Sequence, residues 1–182
     1  AYHKPWRACD TDIDSDMTGA TIFSGGGGAD IGLASAGIDV LWGIEYDDDI
    51  AEVARETGMP IRTGDVTEVD PSSLPAVDVL HASPPCPNFS VAKTGAEETD
   101  EDTALAEATC RFIRAIQPDL FTLENVWGYR KSRSWATIRR CLTAQGYDWN
   151  GWHLCAADYG VPQTRKRMIV AARKGGPRPT KP

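Results

Sequence analysis

The segment Ser83-Pro84-Pro85-Cys86-Pro87-Asn88-Phe89-Ser90 contains the residue best suited to covalent chemistry in this sequence. Prolines on both sides of Cys86 restrict the backbone, and the segment follows an apolar run that is typical of a buried strand. A cysteine at a strand end can act as a thiolate nucleophile, whereas a structural cysteine would more naturally lie inside a strand or a helix. The pattern makes Cys86 a candidate nucleophile, with a buried structural cysteine as the alternative.

A carboxylate and two arginines could supply acid–base and electrostatic chemistry. Glu124 follows an apolar run and could act as an acid or a hydrogen-bond partner, or it could cap a helix. Gln163, Arg165 and Arg167 alternate ahead of another apolar run, and alternate residues of an extended chain share one face. They could bind a phosphate or a carbonyl oxygen, or form a charged edge strand that discourages aggregation.

Three features early in the chain are typical of nucleoside binding. The turn Phe23-Ser24-Gly25-Gly26-Gly27-Gly28 follows an apolar run, and its glycines permit positive φ angles and close approach of a ligand. Glu45 ends the second predicted strand and suits a ribose diol, and Asp65 follows the third and suits an adenine amino group. Each acid alone could be a surface residue, and the turn alone would fit a dinucleotide, a nucleoside or no ligand.

The elements that must position these residues alternate between apolar β-type runs and segments of helical composition. This alternation predicts a doubly wound α/β fold, in which ligands bind at the carboxyl ends of the strands. All the candidate residues before Gln163 follow predicted strands, so we expect them to converge on one edge of the sheet. The predicted strands are Ala20–Ser24, Asp39–Ile44, Pro60–Arg62, Val77–Ala82, Asp119–Leu123, Trp149–Cys155 and Arg167–Ala172. The predicted helices are Ala29–Ala36, Asp47–Thr57, Thr103–Ile116 and Ser134–Gln145.

Composition limits the kind of protein. The 182 residues fit one domain, and no apolar run approaches the roughly 20 residues of a membrane span. Five cysteines without a C-x-x-C pair argue against a disulfide framework or a metal site and favour a reduced, intracellular protein. The formal net charge of -7 argues by itself against a nucleic-acid partner, but bases gather at Arg130–Arg140 and Arg165–Lys181.

Taken together and in order, these segments resemble the DNA cytosine-5 methyltransferases between Thr21 and Arg173. Each motif alone is weak, but six motifs in the right order are specific. The matching segments are Phe23–Gly28, Glu45-Tyr46-Asp47, Gly64-Asp65-Val66, Pro85-Cys86 with Phe89-Ser90, Glu124-Asn125-Val126, and Asp158–Gln163 with Arg165 and Arg167.

The resemblance implies a mostly parallel, Rossmann-like sheet of the S-adenosylmethionine-dependent methyltransferase type, with that cofactor and with DNA as partner. It implies that Cys86 attacks carbon-6 of a flipped cytosine and that Glu124 neutralises charge at ring atom N3. Arg165 would donate to the ring oxygen or position Cys86, and the methyl group would move to carbon-5. The residues implied to hold the cofactor are Phe23, Gly25, Gly27, Glu45, Tyr46, Asp65, Val66 and Pro84.

Two departures from the family pattern qualify this interpretation. Pro87 stands where the family usually has Gln, which puts one contact near the flipped base in doubt. The family also continues with a target-recognition region and with motifs that complete the cofactor pocket, and the sequence ends before them. We expect an N-terminal extension over residues 1–18, a catalytic and cofactor-binding domain over 19–174, and a tail or linker over 175–182. The resemblance further implies an intracellular restriction-modification protein of prokaryotic or phage-like origin.

The alternative functions differ in whether this chain is active in the absence of a second polypeptide and in what it acts on. A second polypeptide could supply target recognition, or the chain could be a cofactor- or nucleic-acid-binding module without independent activity. The same chemistry could act on cytosine in RNA. An unrelated nicotinamide oxidoreductase would leave the Pro-Pro-Cys segment unexplained.

Overall fold

The computed structural model describes residues 16–85 and 98–182, which form one seven-stranded sheet. The strand order is β3-β2-β1-β4-β5-β7-β6. The first five strands are parallel, and β7 runs antiparallel to both of its neighbours. The strands are β1 (Thr18–Ile22), β2 (Asp39–Glu45), β3 (Ile61–Thr63), β4 (Val79–Ala82), β5 (Leu120–Asn125), β6 (Tyr147–Cys155) and β7 (Lys166–Lys174).

Four α-helices connect these strands. Because parallel crossovers are right-handed, the reversal of strand order between β1 and β4 places the first two helices on one face and the last two on the other. The sheet is therefore doubly wound, as the sequence predicted, and its reversal point lies where α/β sheets bind ligands. The helices are α1 (Gly28–Ser35), α2 (Asp48–Glu56), α3 (Asp100–Ile116) and α4 (Arg133–Ala144).

The main core lies between the sheet and the α3–α4 layer. Trp42 of β2 packs on Phe112 of α3 with ring centroids 6.2 Å apart, and both side chains are almost fully buried. Ala51 and Ala54 of α2 form a smaller cluster with Ile61 on the other face. Burial of large apolar side chains on the α3–α4 face makes that layer a firm support for the ends of β4 and β5.

The predicted element types are confirmed, and the differences at their ends have local causes. β1 stops at Ile22 rather than Ser24 because Phe23 adopts a left-handed conformation with φ of 59°. α3 begins at Asp100, before the predicted Thr103, because Thr99 and Asp102 form a reciprocal capping box. The extended run predicted from Gln163 is wrong: the Gln163 and Arg165 amides bond to the carbonyls two residues earlier, so the chain turns before β7.

Glu98 holds the start of α4 in place. Its carboxylate accepts hydrogen bonds from the backbone amides of Arg133 and Ser134 at 2.6 and 2.7 Å, and it pairs with the Arg133 side chain at 3.4 Å. Burial would raise the pKa of Glu98, but a hydrogen bond from the Ser134 hydroxyl, the two backbone hydrogen bonds and the ion pair together lower it. The carboxylate thus satisfies helix amides that would otherwise have no partner.

Residues after β7 lie along the edge strand β6. Arg178 Nε donates to the Trp149 carbonyl at 2.7 Å, and Asn150 Nδ2 donates to the Pro179 carbonyl at 3.3 Å. The boundaries assigned to the extension and the tail stay predictions. Within residues 16–85 and 98–182, no helix combines the length and the apolar character that crossing a membrane requires.

Candidate active site at the carboxyl edge of the sheet

A strained glycine turn joins β1 to α1. Phe23 has a left-handed φ of 59°, which is rare for a bulky residue, and Gly25 and Gly27 also have positive φ. A side chain at Gly27 would come within 3.0 Å of the Ala54 side chain, whereas no described residue lies within 4 Å of the place a side chain would take at Gly25 or Gly28. The turn therefore packs closely on α2 with one side and leaves backbone exposed for a ligand with the other.

A buried polar cluster lies beneath this turn. Thr21 donates to Asp30 Oδ1 at 2.6 Å and also contacts the Ser24 hydroxyl at 2.5 Å. Asp30 is fully buried, and no described residue donates a hydrogen bond to its second oxygen, Oδ2. Desolvation raises the pKa of this carboxyl. The cluster ties the turn to the first turn of α1.

Of the two acids predicted for nucleoside binding, Glu45 contacts the turn, and Asp65 follows Gly64, whose amide bonds to the Glu45 carbonyl. Glu45 Oε2 accepts from the Gly25 amide at 2.7 Å, and its Oε1 accepts from the Asp47 amide at 3.1 Å. Asp65 Oδ1 accepts from the Thr67 amide and hydroxyl, both at 2.7 Å. Each carboxylate is thus oriented by the backbone rather than left free in solvent.

Tyr46 and Val66, two other predicted cofactor residues, have opposite environments. Tyr46 is 74% exposed, which suits an aromatic ring that packs on a planar ligand. Val66 is 3% exposed, so its side chain belongs to the core and only its backbone could meet a ligand. Their assignment to the cofactor stays a prediction.

Glu124 lies between two arginines at the end of β5. Its Oε1 is 2.8 Å from Arg167 Nε and 3.3 Å from an Arg165 terminal nitrogen. The structure thus brings Glu124 and Arg165 together and adds Arg167 as the nearer partner. Among the described residues, no hydrogen bond reaches the other oxygen, Oε2, so a substrate atom could use it.

Asn125 links β5 to the segment that precedes Cys86. Its side chain is buried and donates to the Pro84 carbonyl at 3.0 Å, so Pro84 is held against the end of β5. Cys86 itself lies outside the described residues, which resume at Glu98. The predicted nucleophile is thus two residues after Pro84, whose carbonyl Asn125 binds.

His81 is a site-proximal residue that the sequence interpretation missed. It lies on β4, where one ring nitrogen contacts the Thr122 hydroxyl and the other contacts the Ser83 hydroxyl, both at 2.8 Å. The half-buried ring thus bridges β5 to the residue before Pro84. Burial lowers the pKa of His81 to about 4. A polar residue in the middle of an otherwise apolar strand was the available signal.

We expect His81 to make stability depend on pH. Between about pH 4 and 6.5 the unfolded chain binds a proton that folded His81 does not, so the free energy of unfolding should fall as pH drops through this range. His81→Gln should remove up to about 3 kcal/mol of that fall. Urea unfolding at several pH values measures it. The exposed His153, replaced by Gln, is the control, and parallel curves for wild type and H81Q would contradict the prediction.

The glycine turn with Glu45 and the Glu124–arginine cluster both lie at the carboxyl edge of the parallel strands. The first follows β1 and β2, the second follows β5, and the proline segment after β4 lies between them in the sheet order. The predicted convergence is therefore confirmed for the described residues. Among these residues, no cluster of His, Cys, Asp or Glu could hold a metal ion.

Comparisons with known proteins agree with this arrangement. Type II methyltransferase M.FnuDI of Fusobacterium nucleatum is 31% identical over 159 residues, which cover 85% of this chain and 46% of that protein. M.HhaI of Haemophilus parahaemolyticus is 28% identical, and the match covers 86% of this chain and 50% of that protein. M.AquIA of a Picosynechococcus strain is 28% identical, and the match covers 86% of this chain and 71% of that protein. The chain thus spans about half the length of most of these curated relatives.

Solved structures share the fold at low sequence identity. Dnmt2 methyltransferase of S. pombe has a TM-score of 0.74 at 18% identity and covers 88% of this chain and 50% of its own. A putative DNA modification methyltransferase from an E. coli prophage has a TM-score of 0.74 at 23% identity, and the match covers 87% of this chain and 47% of that one. The family described as C-5 cytosine-specific DNA methylase matches residues 17–180. This match over nearly the whole sequence shows that the chain belongs to the C-5 cytosine-specific DNA methylase family.

Proposed function

We propose that this chain transfers a methyl group from S-adenosylmethionine to carbon-5 of cytosine in DNA, through a covalent adduct with Cys86. The observation that carries the proposal is the single edge at which the glycine turn, the proline segment and the Glu124–arginine cluster meet. Family membership supports the same reaction.

The residues of the glycine turn fit the proposed cofactor. No described residue crowds Gly25 or Gly28, so a ligand could reach the backbone there, and Glu45 is held at the turn by the Gly25 amide. Glu45 would bind the ribose hydroxyls, Tyr46 would pack on the adenine, and Asp65 would bind its amino group. When bound, S-adenosylmethionine supplies an electrophilic methyl group on its sulfonium sulfur.

The residues around Glu124 fit the proposed work on the base. Thiolate attack by Cys86 on carbon-6 would make carbon-5 enamine-like and move negative charge towards N3 and O2 of the ring. Glu124 would hold a proton at N3, and Arg165 would donate to O2. After methylation, loss of the carbon-5 proton would re-form the ring double bond and release Cys86. A base inside a duplex is out of reach, so it must first flip out.

A second candidate function is that of a catalytic subunit that needs a partner segment. The coverage of about half of most relatives favours it, because the other half of those proteins' length has no counterpart in the matched residues. In that case the chain would bind the cofactor alone and would depend on a second polypeptide for target recognition.

Calorimetry with S-adenosylmethionine and with its demethylated product tests the cofactor site. Glu45→Gln should weaken binding by about 10- to 100-fold, because a charged hydrogen-bond acceptor at the ribose is lost. Glu68→Gln is the matched control, since Glu68 is an exposed acid three residues after Asp65. Failure of the wild-type chain to bind either ligand, or an equal loss in both variants, would refute the assignment.

A further inference from the structure

The structure divides the basic residues into groups that the sequence does not separate. α4 runs away from the carboxyl edge, so Arg130 and Lys131 lie at that edge whereas Arg139 and Arg140 lie towards the opposite end. Lys166 lies at the edge too, because β7 begins there and pairs it with Cys155 at the end of β6. The described chain between β5 and β7 therefore presents several bases beside the candidate active site.

Trp127 organises this part of the edge. Its ring stacks on His153 of β6 with centroids 4.4 Å apart and an angle of 14° between the planes. The Arg130 guanidinium carbon lies 4.8 Å from the same ring. Trp127 is 37% exposed, so the stack lies at the surface, where a cation on an aromatic face is held without burial.

The arginines at this edge differ in whether their donors are already used. Arg133 pairs with Glu98, and Arg165 and Arg167 pair with Glu124. Within residues 16–85 and 98–182, the Arg130 side chain makes no hydrogen bond or ion pair, and its guanidinium lies over the Trp127 ring. Its planar fork is thus held in place while its five N–H donors remain available, which is the arrangement that binds a phosphate with two parallel hydrogen bonds.

We propose that Trp127, Arg130, Lys131, His153 and Lys166 form a phosphate-binding surface that holds the nucleic-acid backbone beside the active site. The proposal rests on the proposed function, which requires a nucleic-acid substrate at this edge. We name these five residues the basic face. Phosphate contacts position a nucleic acid without reading its sequence, so the basic face would set where the strand lies and not which site is methylated.

The charges on the rest of the edge also favour binding of a nucleic acid at the basic face. The glycine-turn side carries an acidic group formed by Glu45, Asp47, Asp48, Asp49, Glu52 and Asp65. That side would repel a phosphate backbone, and the first turn of α3, which also carries acids, contacts the start of α4. A nucleic acid is therefore expected to cross the edge over β5, β7 and β6, whereas the cofactor side is left free.

The test is fluorescence anisotropy of a labelled short DNA duplex with the 182-residue chain, at about 50 to 200 mM NaCl. Arg130→Gln should weaken binding about 5- to 10-fold near 0.1 M salt and reduce the slope of log K against log salt by about 0.9, the value for one phosphate contact. Trp127→Ala should weaken binding about two- to fivefold although the net charge is unchanged, because Arg130 loses its support.

Arg139→Gln is the matched control, since it removes the same charge from an exposed position on α4 and should change binding less than about twofold. Equal effects of R130Q and R139Q, no effect of W127A, or equally strong competition by polyglutamate would overturn the basic face. Circular dichroism verifies that each variant folds, and R130Q carries the test if W127A does not. Cofactor calorimetry is run in parallel, so a wild-type chain that binds DNA but no cofactor would count against the proposed function alone.

Discussion

Replacement of Cys86 by alanine is expected to abolish methyl transfer, by a factor on the order of 10⁴ or more, since the covalent step then has no nucleophile. The Asn125 contact with the Pro84 carbonyl would remain, so the fold and cofactor binding should be unchanged. Transfer of a radioactive methyl group to duplex DNA, with and without the C-terminal half of a relative supplied in trans, measures the loss.

Covalent trapping gives a second readout for the same prediction. A duplex with 5-fluorocytosine should trap the wild-type chain as a stable adduct, because fluorine cannot leave carbon-5 as a proton does. Cys155→Ala is the matched control, since Cys155 is a half-buried free cysteine at the end of β6. An adduct that maps by mass spectrometry to Cys155, Cys110 or Cys141 would show that Cys86 is not the nucleophile.

Replacement of Glu124 by glutamine should lower kcat by about 10²- to 10⁴-fold with little change in KM. The amide keeps the size of the side chain and can still accept from Arg167, but it can neither hold nor release a proton at N3. Glu124 would act on charge that develops during the reaction. Its replacement should therefore weaken stabilisation of the transition state, which lowers kcat, and should leave substrate binding nearly unchanged.

Asp78→Asn is the matched control for Glu124→Gln. Asp78 accepts from the Thr18 amide and hydroxyl, both at 2.7 Å, at the opposite end of the sheet from the candidate site. Loss of this carboxylate should lower stability without a comparable fall in kcat. Arg167→Gln should reduce kcat as well, since Arg167 is the nearer of the two arginines. A full rate for E124Q, measured under saturating cofactor, would remove Glu124 from the mechanism.

Much of the candidate site could be predicted from local sequence, because its residues follow strands. Apolar runs that end in Gly25–Gly28, Glu45 or Glu124 indicate both the strand and its carboxyl end, and parallel strands bring those ends to one edge. The glycine turn was predictable for the same reason, since positive φ at Gly25 and Gly27 is what glycine permits. The order of the motifs was then sufficient to indicate the family.

Tertiary structure decided the contacts that depend on pairing between distant segments. The nearer partner of Glu124 is Arg167 rather than Arg165, because the chain turns before β7 and the β5–β7 register sets which guanidinium reaches the carboxylate. Likewise, His81 connects β4 to β5 through its contact with Thr122, 41 residues away. Nothing in the spacing along the chain encodes such a register, since it follows from the packing of both strands.

The basic stretch Arg130–Arg140 shows the same division between sequence and fold. The sequence determined that the bases occur together, and the helix predicted over Ser134–Gln145 placed Arg139 and Arg140 on one element. The fold decided that Arg130 lies at the active edge on Trp127 and that Arg139 lies towards the opposite end. The physical reason is that the periodicity of the local sequence determines which residues form a helix. The direction in which that helix crosses the sheet follows from the crossover between its two strands, and this direction determines which charged side chains lie at the same edge.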